Sequence, residues 1–194
     1  GSSIDGQACS SFGAFGILSF NGNKIITTSG GGALQSNDEA AVAKARFLAT
    51  QAKDNAPHYE HSTVGYNYRM SNIAAAIGVG QLQVLDARVA ARRANYRFYE
   101  DLFKNIDGVQ FLEEPQGFIS NRWLSCILLE QSENKKLNSE HFRLHLEQDN
   151  IESRLLWKPM HMQPLYKGTA YFGGVVAEEL FQKGICLPSG SNLT

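Results

Sequence analysis

The chain has 194 residues, of which 43% are hydrophobic and 19% are charged. This composition is typical of a globular protein that buries a core, and it excludes a disordered tail. The formal net charge of −1 gives no strong overall attraction to nucleic acid or to an anionic membrane.

The three cysteines, Cys9, Cys126 and Cys186, are widely spaced along the chain. An odd number without a CxxC pair argues against a disulfide framework and against a cysteine-based zinc site. No apolar run reaches the length of a membrane span, about 18 residues, and the N-terminus lacks the pattern of a signal peptide. We therefore expect a soluble protein of the reducing cytoplasm.

The first third of the chain predicts a short strand, a turn, a second strand and a helix. The apolar run at 14–20 predicts a buried strand. The segment 21–28 predicts a tight turn that leads into extended chain, and 33–35 predicts another short strand after a glycine-rich break. Asn37 and Asp38 are good N-caps, and the helix formers after them predict a helix at about 38–53.

A long helix is predicted in the middle of the chain. Residues 54–70 have no period, and loops of this length are usually functional or disordered. From Ser71 onward, apolar residues recur at spacings of three and four, which predicts a helix at about 71–104 with a weak point at Gly78 and Gly80. We place a domain boundary inside this helix near Asp86, which gives domains 1–86 and 87–194.

The C-terminal part predicts alternating strands and helices. Strands are expected at 109–112, 123–129, 151–157 and 185–187, and helices at 139–148 and 175–183. The fold class is therefore α/β, with a second and smaller α+β domain.

Several familiar motifs are incomplete in this sequence. The segment GILSFNGNK resembles a phosphate-binding P-loop, but Lys24 follows Asn23 instead of glycine, and Ile25 replaces the Ser or Thr that binds magnesium. His141 and His145 have a spacing that can hold zinc, but they lack a carboxylate between them and a third ligand. We expect no metal site, and a solvated helix face is the better interpretation of the two histidines.

Lys24 is the residue whose neighbours in the sequence indicate a role as a nucleophile. It follows a glycine-containing turn between two apolar segments, where a lysine loses hydration and its amine becomes a better nucleophile. Hydroxyls lie nearby in sequence at Ser19 and at 27–29, and the glycines leave backbone N–H groups open to an anion. This combination suits a phosphate-bearing aldehyde, although a surface lysine at a strand end is the ordinary alternative.

Three segments in a fixed order carry a family resemblance. FGILSFNGNKIITTSGGG is followed by a helix that contains KARFLAT and then by GYNYRMSNIAAAIGVGQL. This order resembles the DegT/DnrJ/EryC1/StrS family of aminotransferases, which use pyridoxal 5'-phosphate (PLP) and act on keto sugars carried on nucleotides. The resemblance runs from about Phe12 to Leu187. It implies the aspartate-aminotransferase-like fold type I, with 1–86 as the remaining part of the PLP-binding large domain and 87–194 as the small domain.

The resemblance also implies roles for individual residues. Lys24 corresponds to the lysine that forms a Schiff base with PLP and then moves the proton during transamination. Ser19 corresponds to a serine that hydrogen-bonds the cofactor phosphate. Asn67 corresponds to an asparagine that reaches the phosphate in the neighbouring subunit, which implies a homodimer with shared sites.

Three further residues are implied as substrate contacts. Tyr68 and Arg69 lie in the same dimer-contact loop, where the arginine could meet a diphosphate or a sugar oxygen; packing at the subunit interface is the alternative. His161, in WKPMHMQPLY, corresponds to a loop that faces the sugar, and a role in the structure of that loop is the alternative.

Two departures from the family bear on activity. Some relatives that dehydrate their substrate carry histidine at the position of Lys24, so the lysine favours transamination, with glutamate as the expected amino donor. Family members are about twice as long, and their N-terminal half carries the aspartate and the ring-stacking residue of the cofactor site. We therefore expect the isolated chain to be inactive. A non-catalytic dimerisation or binding fragment is the alternative, and a PLP-dependent sugar dehydratase is a less favoured one.

Overall fold

The computed structural model describes residues 1–130 and 138–193. The chain forms two compact units, which we call the N-terminal unit, residues 1–89 and 116–120, and the C-terminal unit, residues 90–115 and 121–194. The strands are β1 Ser3–Ile4, β2 Gln7–Ala8, β3 Gly16–Ser19, β4 Gly32–Gln35, β5 Val109–Phe111, β6 Phe118–Ile119, β7 Ser125–Leu129, β8 Arg154–Leu155 and β9 Gly184–Leu187. The helices are α1 Glu39–Ala49, α2 Asn72–Leu82, α3 Leu85–Phe103, α4 Ser139–Gln148 and α5 Val176–Lys183.

Two small antiparallel sheets lie in the N-terminal unit. Strands β3 and β4 form a hairpin in which Ser19 lies opposite Gly32. The other sheet has the order β2-β1-β6, and no strand of this sheet is predicted from the sequence. Because each of its strands has two residues, the sequence offers no alternating pattern that would reveal it.

Helix α1 is shorter than the predicted helix at 38–53. Its start agrees with the sequence, since the Asp38 carboxylate accepts a hydrogen bond from the Ala41 N–H at 2.9 Å. It ends at Ala49 because Gln51 and Ala52 have positive φ angles of 70° and 49°. The Gln51 N–H then donates to the carbonyl of Tyr66 at 2.9 Å. This tertiary contact ends the helix although the residues that follow Ala49 include further helix formers.

The single helix predicted at 71–104 is wrong, because α2 and α3 are separate helices. The break lies at residues 83–84 and not at Gly78 or Gly80, both of which lie inside α2. Gln83 keeps right-handed helical angles, φ −61° and ψ −24°. The apolar residues therefore continue at helical spacing through the break, and the sequence does not reveal it. Within the described residues no single helix is long and apolar enough to cross a membrane; only the bent pair α2 and α3 passes a test of length and composition.

The C-terminal unit is built on an antiparallel sheet with the order β5-β7-β9-β8. Side chains alternate between its faces, and one face supplies a buried core of Ile127, Leu129, Ile185 and Leu187. Partly buried side chains pack against that core: Tyr99, Phe103, Val109, Phe111, Phe142 and Leu146. Each buried isoleucine or leucine stabilises the unit by about 1.5–3 kcal/mol relative to an exposed one.

Two tyrosines of α3 should make the stability of this unit depend on pH in the alkaline range. Burial raises the pKa of both Tyr96 and Tyr99 above the ordinary value, and their hydroxyls donate to the carbonyls of Leu112 at 2.9 Å and Pro188 at 2.8 Å. Since the pKa in the folded state exceeds that of the unfolded chain, about 10, the folded state loses stability as the pH rises above that value. In a spectrophotometric titration of tyrosinate, we expect Tyr96 and Tyr99 to ionise late, together with unfolding.

Matched variants test the assignment of the late groups. Tyr96→Phe and Tyr99→Phe should each remove one late-ionising group, whereas Tyr59→Phe, at an exposed position, should leave both late groups in place. Ionisation of all tyrosines in one step while the chain stays folded would contradict the prediction.

Candidate cofactor site

Lys24 lies on the loop 20–31 between β3 and β4, which we call the lysine loop. Its backbone N–H donates to the carbonyl of Asn21 at 3.0 Å, forming a tight turn. The N–H groups of Phe20 and Thr28 donate to the carbonyls of Gly31 and Phe20, both at 3.0 Å. The loop is therefore a closed, hydrogen-bonded structure, with Lys24 itself partly exposed.

The hydroxyls near Lys24 divide into two groups. Thr27 Oγ1 donates to the Phe20 carbonyl at 3.0 Å and accepts from the Ser29 N–H at 2.9 Å. The Thr28 hydroxyl donates to the carbonyl of Gly30 and is buried. Both threonines thus hold the loop together. Ser19 and Ser29 are exposed and are the hydroxyls available to a ligand.

Helix α2 and Met70 support the lysine loop from the same unit. Gln81 Oε1 accepts a hydrogen bond from the Thr27 N–H at 3.2 Å. A Cβ atom at Gly78 would lie 3.0 Å from Thr28 Cγ2, and one at Gly31, where φ is +97°, would lie 2.8 Å from Met70 Cε. The role of Gln81 could not be predicted from the sequence, because a glutamine in a helix gives no signal of a distant partner.

This donor set fits a ligand that carries both an aldehyde and a phosphate. The Lys24 amine is the nucleophile that an aldehyde requires. The exposed Ser19 hydroxyl is a donor for a phosphate oxygen, and it lies on the same hairpin as the lysine.

Asn67 lies on a second segment of the N-terminal unit, which runs beside the end of α1. The N–H groups of Tyr66 and Tyr68 donate to the carbonyls of Leu48 at 2.7 Å and Ala49 at 3.0 Å. These bonds fix the backbone on both sides of Asn67, which is exposed. The rings of Tyr66 and Tyr68 are stacked, with centroids 5.0 Å apart. Arg69 follows them and is also exposed.

The loop before Asn67 lines an open surface pocket of about 730 Å³. The Asp54 carboxylate accepts from the Ser62 N–H at 2.6 Å and from its hydroxyl at 3.0 Å. His61 Nδ1 lies 2.9 Å from the Gln51 carbonyl, so this nitrogen is the donor. The pocket is lined by Gln51, Tyr59, His61, Ser62, Thr63, Val64, Gly65 and Asn67. The long loop predicted at 54–70 is thus an ordered segment that positions polar side chains.

His161 belongs to the C-terminal unit and lies in a short 3-10 turn, Met160–Met162. Its Nε2 lies 3.0 Å from Glu178 Oε1, and its ring stacks on Tyr171 with centroids 3.7 Å apart. These contacts fit the structural alternative for His161, since they already occupy one ring nitrogen and one ring face. In the described part of the chain, no three His, Cys, Asp or Glu side chains are grouped to hold a metal ion.

Comparison with known proteins decides the family. The model of the DegT/DnrJ/EryC1/StrS aminotransferase family matches residues 1–194. The chain belongs to this family. The relationship inferred from the lysine-loop and GYNYRM motifs is therefore confirmed.

Individual relatives cover the whole chain. It is 50% identical over 198 residues to EpsN of Bacillus subtilis, which is provisionally named as a pyridoxal phosphate-dependent aminotransferase, and covers 50% of that protein. It is 35% identical over 195 residues to the GDP-perosamine synthase of Escherichia coli O157:H7 and covers 51% of it. In both cases all of this chain is aligned, so it spans about half the length of these relatives.

Solved structures of aminotransferases confirm the predicted fold class. The aminotransferase TlmJ from Streptoalloteichus hindustanus superimposes with a TM-score of 0.87 at 26% identity, over 100% of this chain and 51% of that one. A family member from Brucella abortus superimposes with a TM-score of 0.84 at 28% identity, over 100% and 50%. The chain thus has the fold of about half of a fold type I aminotransferase.

Proposed function

We propose that the complete protein containing this chain is a PLP-dependent aminotransferase that transfers an amino group from glutamate to a keto sugar nucleotide. The observation that carries the proposal is the lysine loop, which combines the Lys24 amine and the exposed Ser19 hydroxyl on one hairpin. The two compact units then correspond to the remaining part of the large domain and to the small domain. We also propose a cytoplasmic location, as the composition suggests.

The names of the relatives support the substrate class. One relative at 35% identity is a GDP-perosamine synthase, and another at 34% identity over 131 residues is named as a transaminase of a UDP-linked amino sugar. Both names describe sugars attached to nucleoside diphosphates. We extend this substrate class to the present protein, without choosing the sugar or the ring carbon.

Each residue of the lysine loop has a chemical task in this proposal. Lys24 Nζ holds the cofactor covalently and, once released, carries the proton between the two carbon atoms that exchange it. The Ser19 hydroxyl donates to the phosphate and fixes its position. PLP, when bound, supplies an electron sink that stabilises a carbanion. Hydrogen bonds of Thr27, Thr28 and Gln81 maintain the conformation of the lysine loop.

The remaining site residues are proposed to act across a homodimer. Asn67 is exposed on a backbone that is held on both sides by hydrogen bonds, which suits a side chain that reaches into a second copy. Tyr68 and Arg69, exposed beside it, are proposed to contact the substrate, with the guanidinium suited to a diphosphate. His161 is proposed as a sugar contact, with its position set by Glu178 and Tyr171.

A second candidate function is a non-catalytic dimerisation fragment. Apolar side chains of the β3–β4 hairpin are exposed, including Ile17 at 71% and Leu34 at 40%, and exposed apolar patches favour association. This candidate predicts a dimer whose formation does not depend on PLP. A PLP-dependent dehydratase is a weaker alternative, since Lys24 retains an amine that can carry both the cofactor and a proton.

Trapping of the cofactor tests the proposal. The purified chain is titrated with PLP, reduced with borohydride, digested with trypsin and mapped by mass spectrometry. We expect the label on Lys24, which blocks cleavage there and leaves a peptide of residues 1–44 in place of 1–24 and 25–44. Lys44, Lys53 and the other lysines are internal controls for non-specific labelling.

Either result separates the candidate functions. Label confined to Lys24 supports the aminotransferase proposal. Label scattered over the lysines, together with a dimer that is unchanged by PLP, supports the dimerisation fragment. Release of 2-oxoglutarate from glutamate by the complete protein, in the presence of a keto sugar nucleotide, then distinguishes transamination from dehydration.

A further inference from the structure

Two cysteines of the C-terminal unit lie directly opposite each other in its sheet. Cys126 on β7 and Cys186 on β9 form a register pair, and their Sγ atoms are 3.7 Å apart. They are separated by 60 residues in sequence, so the fold and not the local chain brings them together.

The pair faces away from the buried core of the sheet. Ile127 and Ile185 follow and precede the cysteines and belong to the core, so alternation directs Cys126 and Cys186 to the other face. Cys126 is partly exposed and Cys186 is 6% exposed. A small reagent can therefore reach the pair, while a protein-sized one is excluded from Cys186.

Arg154 completes a row of three side chains across the sheet. It lies on β8 directly opposite Cys186, so Cys186 has Cys126 on one neighbouring strand and Arg154 on the other. The Arg154 guanidinium is exposed and also forms an ion pair with Glu152. The hydrogen bond between the two thiols lowers the pKa of the Cys186 thiol, and the charge of Arg154 acts in the same direction against the effect of burial. The same hydrogen bond and burial raise the pKa of Cys126, with Arg122 acting weakly against them. Cys186 thus has the lower pKa of the two thiols, and it is the one that we expect to ionise first.

We infer that Cys126 and Cys186 are a redox modification site, in which hydrogen peroxide converts the two thiols into a reversible disulfide. This site does not depend on the proposed function. Its parts are a reactive thiolate, an adjacent resolving thiol and access for a small oxidant, the features that distinguish redox-active cysteines from inert buried ones.

The two steps balance in atoms and electrons. The Cys186 thiolate attacks one peroxide oxygen, the S–O bond forms, the O–O bond breaks and hydroxide leaves, so that sulfur is oxidised and peroxide is reduced. The Cys126 sulfur then attacks the Cys186 sulfur, the S–S bond forms and the S–O bond breaks. The hydroxyl group leaves with the Cys126 proton as water.

The sheet geometry indicates that the disulfide is easily reduced. Opposite residues of an antiparallel pair have Cα atoms about 4.5–5.5 Å apart, inside the range of about 4.4–6.8 Å found in disulfides. Their Cβ atoms lie about 4.5–5.5 Å apart, somewhat farther than the ~3.8 Å typical of disulfides. Closure therefore draws the strands together and strains the bond, and strained disulfides are the labile ones.

Peptide mapping of the 194-residue chain tests the site. The chain is treated with hydrogen peroxide, remaining thiols are alkylated, and the protein is digested with trypsin without reduction. We expect a linked pair of peptides, 123–135 with 184–194, which disappears after dithiothreitol. The Cys9→Ser variant is the matched control and should give the same linked pair, because Cys9 is an exposed cysteine of the N-terminal unit.

Variants of the pair identify the order of events. In Cys126→Ser, Cys186 should accumulate as a sulfenic acid that dimedone traps. In Cys186→Ser the thiol with the lower pKa is gone, so Cys126 should be oxidised about tenfold or more slowly than Cys186 is in Cys126→Ser. Arg154→Gln should slow formation of the disulfide in the otherwise native chain. The inference is overturned if peroxide oxidises Cys9 while Cys126 and Cys186 stay reduced, or if either one links to Cys9 instead.

Discussion

Replacing Lys24 with alanine is expected to abolish glutamate-dependent transamination by the complete protein. The variant loses the amine that holds the cofactor and also the group that carries the proton. Loss of acid–base catalysis alone lowers kcat by about 10²–10⁴-fold, and loss of the covalent link adds to this. The measurement is release of 2-oxoglutarate from glutamate, together with borohydride trapping of PLP, which should no longer label residues 1–44.

Two variants serve as controls for this result. Lys24→Arg keeps a positive charge in the lysine loop but cannot form the covalent link, so it should be as inactive as the alanine variant. Lys44→Ala should keep full activity, because Lys44 lies on the exposed side of α1 with its Nζ 5.1 Å from the centre of the Phe47 ring. Turnover retained in Lys24→Ala would remove Lys24 from the mechanism.

Replacing Gly65 with alanine is expected to displace the segment that carries Asn67. A Cβ atom at Gly65 would lie 2.3 Å from the carbonyl carbon of Gln51 and 2.4 Å from the N atom of Ala52. These are backbone atoms beside the fully buried Ala52, so no side-chain rotation relieves the clash. We expect a loss of about 1–3 kcal/mol in the free energy of unfolding, measured by urea denaturation, and a lower activity of the complete protein.

Gly80→Ala is the matched control for Gly65→Ala. Gly80 lies inside α2 and has open space around the position of a Cβ atom, so alanine should stabilise the chain by roughly 0.5–1 kcal/mol. If Gly65→Ala proves as stable as Gly80→Ala and equally active, the close packing of this segment on the end of α1 does not hold Asn67 in place.

Local signals in the sequence predicted much of the fold. Helix α4 has the predicted limits because the Asn138 side chain caps it, accepting from the His141 N–H at 2.8 Å. The end of α1 and the break between α2 and α3 were missed, since both depend on contacts or turns that leave the composition unchanged. The pairing of β1 with β6, residues 3–4 with 118–119, joins distant pieces of chain and has no local signal.

Only some residues of the candidate site could be predicted from the sequence. The lysine-loop motif led to Lys24 and Ser19, and both lie on the β3–β4 hairpin. The structural roles of Thr27 and Thr28 could not be predicted, because a hydroxyl that closes a loop and one that faces a ligand look the same in a sequence. The close packing of Gly65 likewise has no signal in the sequence, since its approach to Gln51 and Ala52 exists only once the loop has folded.

The position of β9 has a consequence for synthesis of the protein. This strand lies inside the sheet, between β7 and β8, yet it is made last of the four. Until residues 184–187 are available, β8 has no partner among the described strands of its sheet, and β5 and β7 form an isolated antiparallel pair, which is marginal in water. The C-terminal unit therefore completes its folding only after residues 184–187 have been made, when the apolar strands made before them have already been exposed to chaperones and proteases.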